Sequence, residues 1–323
     1  MTTWFVFNGD ADGLCAAHQL RLAGHVPDRV ITGVKRDIVL LARCDAQGGD
    51  CVWVADISLD SNRAALLQLL ARGVTIRWFD HHHAGAIPAH PAFEACIDTS
   101  ATVCSSLLVD NFLEGRFRAW AVTAAYGDNL PVAARLAARN APPAVRVPDD
   151  ALDDLAELGT LMNYNAYGDS IADLHVDPLL LFARIAPYAD PRAFLAADSF
   201  ARDLRATMRS DLATAAAAPA LRVTPATAAF ELPDAPWARR VQGVWANELA
   251  QGHRERAHAL LVRRGDSYSV SVRAPAARPS GADMLCRQFA GGGGRAGAAG
   301  INDLPLAQRD HFLSVFEGAY AKA

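Results

Sequence analysis

The sequence predicts an α/β protein, with an N-terminal doubly wound parallel-sheet domain joined by a helical linker to a smaller C-terminal α/β domain. Three observations lead there. Short β-rich runs alternate with helical stretches through the first hundred residues, the pattern of a parallel sheet covered on both faces. An Ala- and Arg-rich segment, 191–218, has helix-forming composition throughout and stops before Pro219. Beyond it a fresh set of strands and a short helix lead into a run of four glycines.

Taken in order, the strands are Trp4–Phe7, Val30–Val34, Val52–Ala55, Val74–Phe79 and Glu94–Ile97, each short, apolar and rich in β-branched or aromatic residues. Helical spacing falls between them at Leu14–Ala23, Ile38–Arg43 and Ser61–Arg72, with Asp60 or Ser61 as the N-cap of the third. From Thr102 to Ala186 the pattern is mostly helical, interrupted by a loop at Pro142-Pro143 and Asp149-Asp150. Ala257–Val262 and Ser267–Arg273 read as neighbouring strands around a Gly265-Asp266 turn. A helix from Gly281 to Phe289 then precedes Gly291–Gly294. The expected domains are 1–190 and 219–323, with 191–218 as connector.

Composition narrows the function classes. With 51% hydrophobic and 20% charged residues, 323 residues suffice for two ordinary cores, and general disorder is excluded. The N-terminus runs directly into a strand without a basic leader, and no long apolar window suggests a membrane span. The cytoplasm is therefore the expected compartment. Six cysteines without a C-x-x-C pair read as reduced thiols. Residues 1–218 carry a net charge of −8 and residues 219–323 one of +4. An acidic half beside a mildly basic one suits a metal site working with an anion-binding module, and does not suit a track for duplex DNA.

The chemistry lies at strand ends. In doubly wound sheets ligands bind outside the carboxyl ends of the strands. Asn8-Gly9-Asp10-Ala11-Asp12-Gly13 follows the first strand, Asp56 follows the third, and Asp80-His81-His82-His83 closes the fourth. Crowded carboxylates stay ionised only beside cations, and oxygen-rich ligation with an imidazole suits Mn²⁺ or Mg²⁺. Two such ions can clamp a phosphoryl group. Separately, backbone N–H groups of the glycine run with Arg295 beside them could cradle a phosphate or carboxylate, with Arg273 as a second anion contact. Tyr164 and Tyr167, in a polar-aromatic stretch, are open to base stacking or to core packing.

On these motifs the chain resembles the DHH phosphoesterases, whose Asp-His-His appears here as Asp80-His81-His82. Asp10-Ala11-Asp12-Gly13 resembles the first motif of that family, Asp56 its second and Asp128 its fourth, with Asp169 the competing candidate for the last. The segment 291–300 resembles the glycine-rich signature of the DHH-associated domain found in RecJ-type exonucleases, nanoRNases and pAp phosphatases. The resemblance implies two Mn²⁺ ions, with Mg²⁺ as substitute, one on Asp10 and Asp56 and the other on Asp12, Asp56, His81 and Asp128. It implies further that His82 faces the substrate phosphate while Asp80 orients the histidines, and that Gly292, Gly293, Gly294, Arg295 and Arg273 hold the substrate's far end. His83 is expected at the surface. Two departures stand out: Asn8 where many relatives place histidine, and Arg295 where they place the histidine of Gly-Gly-Gly-His.

The expected activity is hydrolysis of phosphodiester or phosphomonoester bonds in short single-stranded oligonucleotides or nucleotides by metal-activated water. The alternatives are a polyphosphate or other small phosphoester hydrolase, a RecJ-like single-strand exonuclease, and a binding module with a decayed metal site.

Overall fold

A computed structural model of the chain describes residues 1–140 and 145–321. The predicted loop at Pro142-Pro143 lies outside the described residues. The chain divides into two compact units, Met1–Arg205 and Ala206–Ala323.

The first unit opens with β1 (Thr3–Phe7), α1 (Ala11–Leu22), β2 (Arg29–Ile31), β3 (Cys51–Ala55), α2 (Leu59–Ala71), β4 (Thr75–Asp80) and β5 (Phe93–Ile97). These strands form one sheet in the order β2-β1-β3-β4-β5, parallel at every pairing. The doubly wound expectation therefore holds. The order reverses between β1 and β3, which places the topological switch point, where such sheets bind ligands, at the carboxyl ends of those two strands. Val6, Val52, Val54, Ile76 and Trp78 fill one face of the sheet together with Leu66 and Leu69 of α2. On the other face Phe7 packs against Phe182 with ring centroids 4.9 Å apart.

The helices α3 (Ser105–Phe112), α4 (Arg118–Gly127), α5 (Pro131–Arg139), α6 (Leu152–Ala166), α7 (Pro178–Ile185) and α8 (Pro191–Ala197) complete this unit, and α9 (Ser199–Ala216) crosses its boundary. Helix α1 is the hub: every residue from Ala11 to Leu20 is buried. A helix buried all round belongs inside, and α3, α4, α6 and α7 pack around it.

Several local expectations are corrected. Ile38–Arg43 is not a helix; only a 3₁₀ turn forms, over Leu41–Arg43. The buried Asn62 side chain donates to the Ile38 carbonyl at 2.7 Å and accepts from Leu41 N–H at 3.1 Å, so groups a helix would pair internally are spent on α2. The cap of α2 is Ser58, whose Oγ accepts from Ser61 N–H, in place of Asp60 or Ser61. Strand β2 stops at Ile31, short of Val34. The 191–218 helix is broken at Asp198, which accepts from Phe200 N–H at 2.8 Å.

The second unit adds β6 (Ala220–Val223), β7 (Thr227–Leu232), α10 (Pro236–Gly252), β8 (Ala257–Arg264), β9 (Ser267–Arg273), α11 (Ala282–Cys286), β10 (Gly292–Arg295), β11 (Ala298–Pro305) and α12 (Arg309–Tyr320). Its sheet is mixed, in the order β10-β11-β9-β8-β7-β6, with only β7 and β8 parallel. As expected, β8 and β9 form a hairpin about Gly265, whose φ of 52° suits a glycine. Val270, Ile301, Leu285, Phe312 and Phe316 lie in its core.

Among the described residues, no helix is long and apolar enough to cross a membrane, and the six cysteines form no disulfide.

Candidate metal centre

The three acidic clusters meet at the carboxyl ends of β1, β3 and β4, adjacent strands of the first sheet. Asp10 is the N-cap of α1, its Oδ1 accepting from Asp12 N–H at 3.0 Å and Gly13 N–H at 3.1 Å. Asp12, in the first turn, is 1% exposed and accepts from Ser105 N–H and Ser106 N–H, both at 2.7 Å. The N-terminus of α3 thus holds the Asp12 carboxylate, as its dipole favours.

Asp56 follows β3 in the left-handed region, at φ 58°, a conformation that Asp tolerates better than most residues. Ser105 Oγ donates to its Oδ1 at 3.1 Å. Asp128 caps the C-terminus of α4. There Asn129, at φ 58°, and the Leu130 N–H to Ala125 bond at 2.8 Å close a Schellman turn. A helix C-terminus is the wrong end of the dipole for a carboxylate. Asp128 Oδ2 is also buried, and accepts no hydrogen bond among the described residues.

The histidines follow from β4. His81 Nδ1 lies 3.0 Å from the Val103 carbonyl, which can only accept, so Nδ1 carries the proton and the Nε2 lone pair is free. Nε2 lies 3.5 Å from Asp56 Oδ1, 3.9 Å from Asp128 Oδ2 and 4.0 Å from Asp12 Oδ2. Around an ion with bonds of about 2.1 Å, octahedral ligand atoms lie about 3 to 4.2 Å apart, and the three distances from Nε2 fall in that range. Asp56, His81 and His82 also each offer an atom within 4.8 Å of the others. Asp80, fully buried, accepts from His82 Nδ1 at 2.7 Å and from His81 N–H at 2.9 Å through the same Oδ1. His82 itself is 44% exposed at its side chain, and His83 is exposed.

The electrostatics follow from this crowding. Burial, then the charges of Asp10, Asp12 and Asp128, push the Asp56 carboxyl well above the usual range. Burial and Asp12 raise Asp128 as well. Asp10 goes the other way: burial opposes ionisation, but the charge and hydrogen bond of Lys35, with the Gly13 N–H, hold it at about 2. For His82, burial works downward and is outweighed by Asp80, so its imidazole is raised.

Other predicted positions are placed differently. Asn8 is buried, and its amide is used at both ends: Oδ1 accepts from Asp10 N–H at 3.2 Å and Nδ2 donates to the Lys35 carbonyl at 2.9 Å. Asp169 pairs with Arg36 and is not brought to His81, whereas Asp128 is. Tyr164 is fully buried, which settles it as core. Asn163 beside it accepts from Ala11 N–H at 3.1 Å and donates to the Gly127 carbonyl, linking the start of α1 to the turn bearing Asp128.

The glycine run is not a loop but the edge strand β10, paired with β11 from Gly292–Ile301 to Arg295–Ala298. A Cβ on Gly292 would lie 1.9 Å from the Cys286 carbonyl oxygen, and one on Gly294 2.5 Å from the Ala299 Cα. Close packing therefore accounts for two of the glycines, while a Cβ at Gly293 would meet nothing within 4 Å. Arg295 is exposed. Arg273 donates through Nε to Asn247 Oδ1 at 2.7 Å.

Sequence reasoning missed Lys35, Ser105, Ser106 and the Val103 carbonyl. The Ser-Ser pair opening a helix was an available signal, as a helix start that can hold an anion. A lone lysine in a connection carries none.

No protein-family model and no curated protein sequence matches the chain. Among solved structures it is similar over 99% of its length to RecJ in complex with Mn²⁺ from Thermus thermophilus, at TM-score 0.62 and 18% identity. It spans about half of that protein, 52% of the chain. The chain has the two-domain fold of the DHH phosphoesterases. The same fold appears in the pGpG-specific phosphodiesterase PggH from Vibrio cholerae, at TM-score 0.53 and 13% identity over 98% of this chain and 97% of that one. An exopolyphosphatase-related protein from Bacteroides fragilis is similar at TM-score 0.50 and 13% identity, over 99% and 91% of the respective chains.

Proposed function

We propose that the chain is a divalent-metal-dependent phosphoesterase acting on short oligonucleotides or nucleotides. The observation that carries this reading is His81 Nε2, its tautomer set by Val103, facing carboxylate oxygens of Asp12, Asp56 and Asp128 at 3.5 to 4.0 Å. The orphaned Asp128 Oδ2 supports it, since a buried carboxylate oxygen at a helix C-terminus needs a cation.

Asp12, Asp56, His81 and Asp128 would hold the ion. Bound there, Mn²⁺ supplies Lewis-acid charge to the phosphoryl group and lowers the pKa of the attacking water. The chain's own residues do the rest. Water oxygen bonds to phosphorus, the bond to the leaving oxygen breaks, and the water's proton passes to solvent. His82, whose Nδ1 lies 2.7 Å from Asp80 Oδ1, would give an Nε2 proton to the leaving oxygen. Asp80 orients the His82 ring through Oδ1, which also accepts from the His81 backbone N–H. Arg295 is the exposed arginine of the second unit proposed to contact a substrate anion, with Gly293 beside it on the edge strand.

Dinucleotides come first among substrates, because the similar PggH is a pGpG-specific phosphodiesterase. Polyphosphate is the second choice, on the likeness to the exopolyphosphatase-related protein. The test is a Mn²⁺-supplemented hydrolysis screen over dinucleotides, longer oligonucleotides, pAp, cyclic dinucleotides and polyphosphate. Release of phosphate or mononucleotide that stops with EDTA is expected. Protein that binds Mn²⁺ yet cleaves none of these would overturn the reading.

A further inference from the structure

The resemblance assigns Asp10 to a second ion, but in this chain that carboxylate is already paired with a side chain. Lys35 Nζ is ion-paired with Asp10 Oδ2. The other Asp10 oxygen is committed to the Asp12 and Gly13 N–H groups. Asn8, whose position would otherwise offer a ligand beside Asp10, spends its amide oxygen on the Asp10 N–H and its amide nitrogen on the Lys35 carbonyl. The Lys35 N–H donates in turn to the Ala166 carbonyl at 2.9 Å. The lysine backbone is thus tied on both sides, and its ammonium lies over the Tyr167 ring at 5.7 Å from the centroid. His81, Asp12, Asp56 and Asp128 face one another with no lysine or arginine paired to them in this way among the described residues.

The choice of residue fits this role. Of 31 basic residues only Lys35 and Lys322 are lysines. An ammonium is a compact point charge of the kind an ion position accepts, whereas a guanidinium is a broad planar fork. Asp10 and Lys35 are 25 residues apart, so the pairing is tertiary and not an accident of local sequence.

We infer that this chain works with one divalent ion and that Lys35 stands permanently in the second cation position, where its ammonium contacts a non-bridging phosphoryl oxygen of the substrate. Asn8 is the positioning residue: it surrenders its ligand role and fixes the Lys35 backbone. The inference rests on the phosphoesterase reading, since it assigns the second charge of that same site.

The test is metal stoichiometry. Chelator-stripped wild-type protein is titrated with Mn²⁺ by equilibrium dialysis, and the bound metal is examined by EPR. One Mn²⁺ per chain with an isolated six-line spectrum is expected. The Asn8→His/Lys35→Met double variant should take up a second Mn²⁺ and show an exchange-coupled spectrum. Two ions in the wild type, or a double variant that melts like the wild type yet binds only one, would overturn the Lys35 assignment while leaving the phosphoesterase reading intact. A wild type that binds no Mn²⁺ would overturn both. One bound ion without hydrolysis of any phosphoester would leave the stoichiometry standing and remove the proposed activity. Because the wild-type count needs no mutation, the assignment is decided even if the double variant fails to fold.

Discussion

The carbonyl of Val103 accepts the Nδ1 proton of His81 at 3.0 Å, and that one bond turns the second ring nitrogen toward three carboxylates. A backbone acceptor cannot be mutated away, so the tautomer is built into the connection between β5 and α3.

The three neighbouring histidines should separate by role. His81→Ala is expected to lose Mn²⁺ and activity together, since it removes the only nitrogen among the four donors. His82→Ala should keep Mn²⁺ and lose turnover by about 10²-fold or more, the usual range for removing an acid. His83→Ala should be near wild type, because its exposed side chain is not among the donors. Parallel metal titrations and kcat measurements check this; a His83 variant as damaged as His81 would mean the wrong residues are assigned.

Asp56→Asn should trade function for stability. Activity is expected to fall below roughly a tenth of wild type, since the carboxylate is one of the proposed ligands of the ion. Metal-free Asp56→Asn should nonetheless melt higher than metal-free wild type at pH 7. The sign follows from the raised Asp56 carboxyl: burial and three neighbouring acids make its ionisation unfavourable in the fold, so its charge costs stability above its folded pKa. Asn also accepts the left-handed backbone at this position. Calorimetry with EDTA present reads the difference, and an unchanged or lower Tm would count against the crowding.

Much of this was legible because the acids follow apolar strands: β1, β3 and β4 are buried runs that end in Asp10, Asp56 and Asp80 or just before them. Parallel pairing then gathers residues far apart in sequence, and the strand order makes β1 and β3 neighbours across the switch point. What could not be read depended on tertiary partners. Asn62 diverts Ile38–Leu41 from a helix, and Cys286 and Ala299 dictate Gly292 and Gly294 of β10. Lys35 reaches Asp10 only once β1 and the segment after β2 lie side by side. Periodicity reports which face of an element is buried, not which side chains will compete for its backbone.

The junction of α4 and α6 ties packing to the site. A Cβ on Gly159 would lie 2.2 Å from the Thr123 carbonyl oxygen and 2.7 Å from the Gly127 nitrogen. Gly159→Ala should therefore destabilise by about 1–3 kcal/mol, the usual cost of overpacking. Because Gly127 precedes Asp128, the same change should weaken Mn²⁺ binding without touching a ligand. Denaturant unfolding with a metal titration tests both, and lost stability with unchanged affinity would separate the helix junction from the site.

Acid should loosen the first unit through His18. Its ring packs edge-on against Trp120, with centroids 4.7 Å apart, and Nε2 lies 2.8 Å from the Tyr188 carbonyl. Burial pushes its pKa down to about 4, against the donated bond to Tyr188. A histidine depressed in the fold takes up its proton more readily when unfolded, so stability is full above about pH 6.5 and is lost as pH falls toward about 4. The loss approaches about 3 kcal/mol at the lower end. His18→Gln keeps a donor for Tyr188 and cannot titrate. Wild type should therefore lose more Tm than His18→Gln between about pH 7 and about 4.5, and parallel curves would show that His18 is not the acid-sensitive group.

Substrate length should matter little, because the second unit offers few contacts for a long chain. Its net charge is only +4 from residue 219 onward. Arg295 is exposed, and Arg273 donates to Asn247 and must share its guanidinium with any ligand. Each phosphate neutralised on a single strand contributes a log–log salt slope of about −0.7, so two or so contacts give a slope of about −1 to −2. With so few contacts added nucleotides should gain little, and substrates of roughly two to five nucleotides should match or beat longer ones. Arg295→Ala should then raise KM and leave kcat close to wild type, since it holds a group remote from the reacting phosphorus. Steady-state kinetics on a dinucleotide and a 20-mer at several salt concentrations decide the matter. A 20-mer cleaved far more efficiently, with a steep salt dependence, would mean that the chain grips many phosphates and acts as a single-strand exonuclease. The chemistry at His81 and Asp56 would be the same in either case, because only the reacting phosphate touches it.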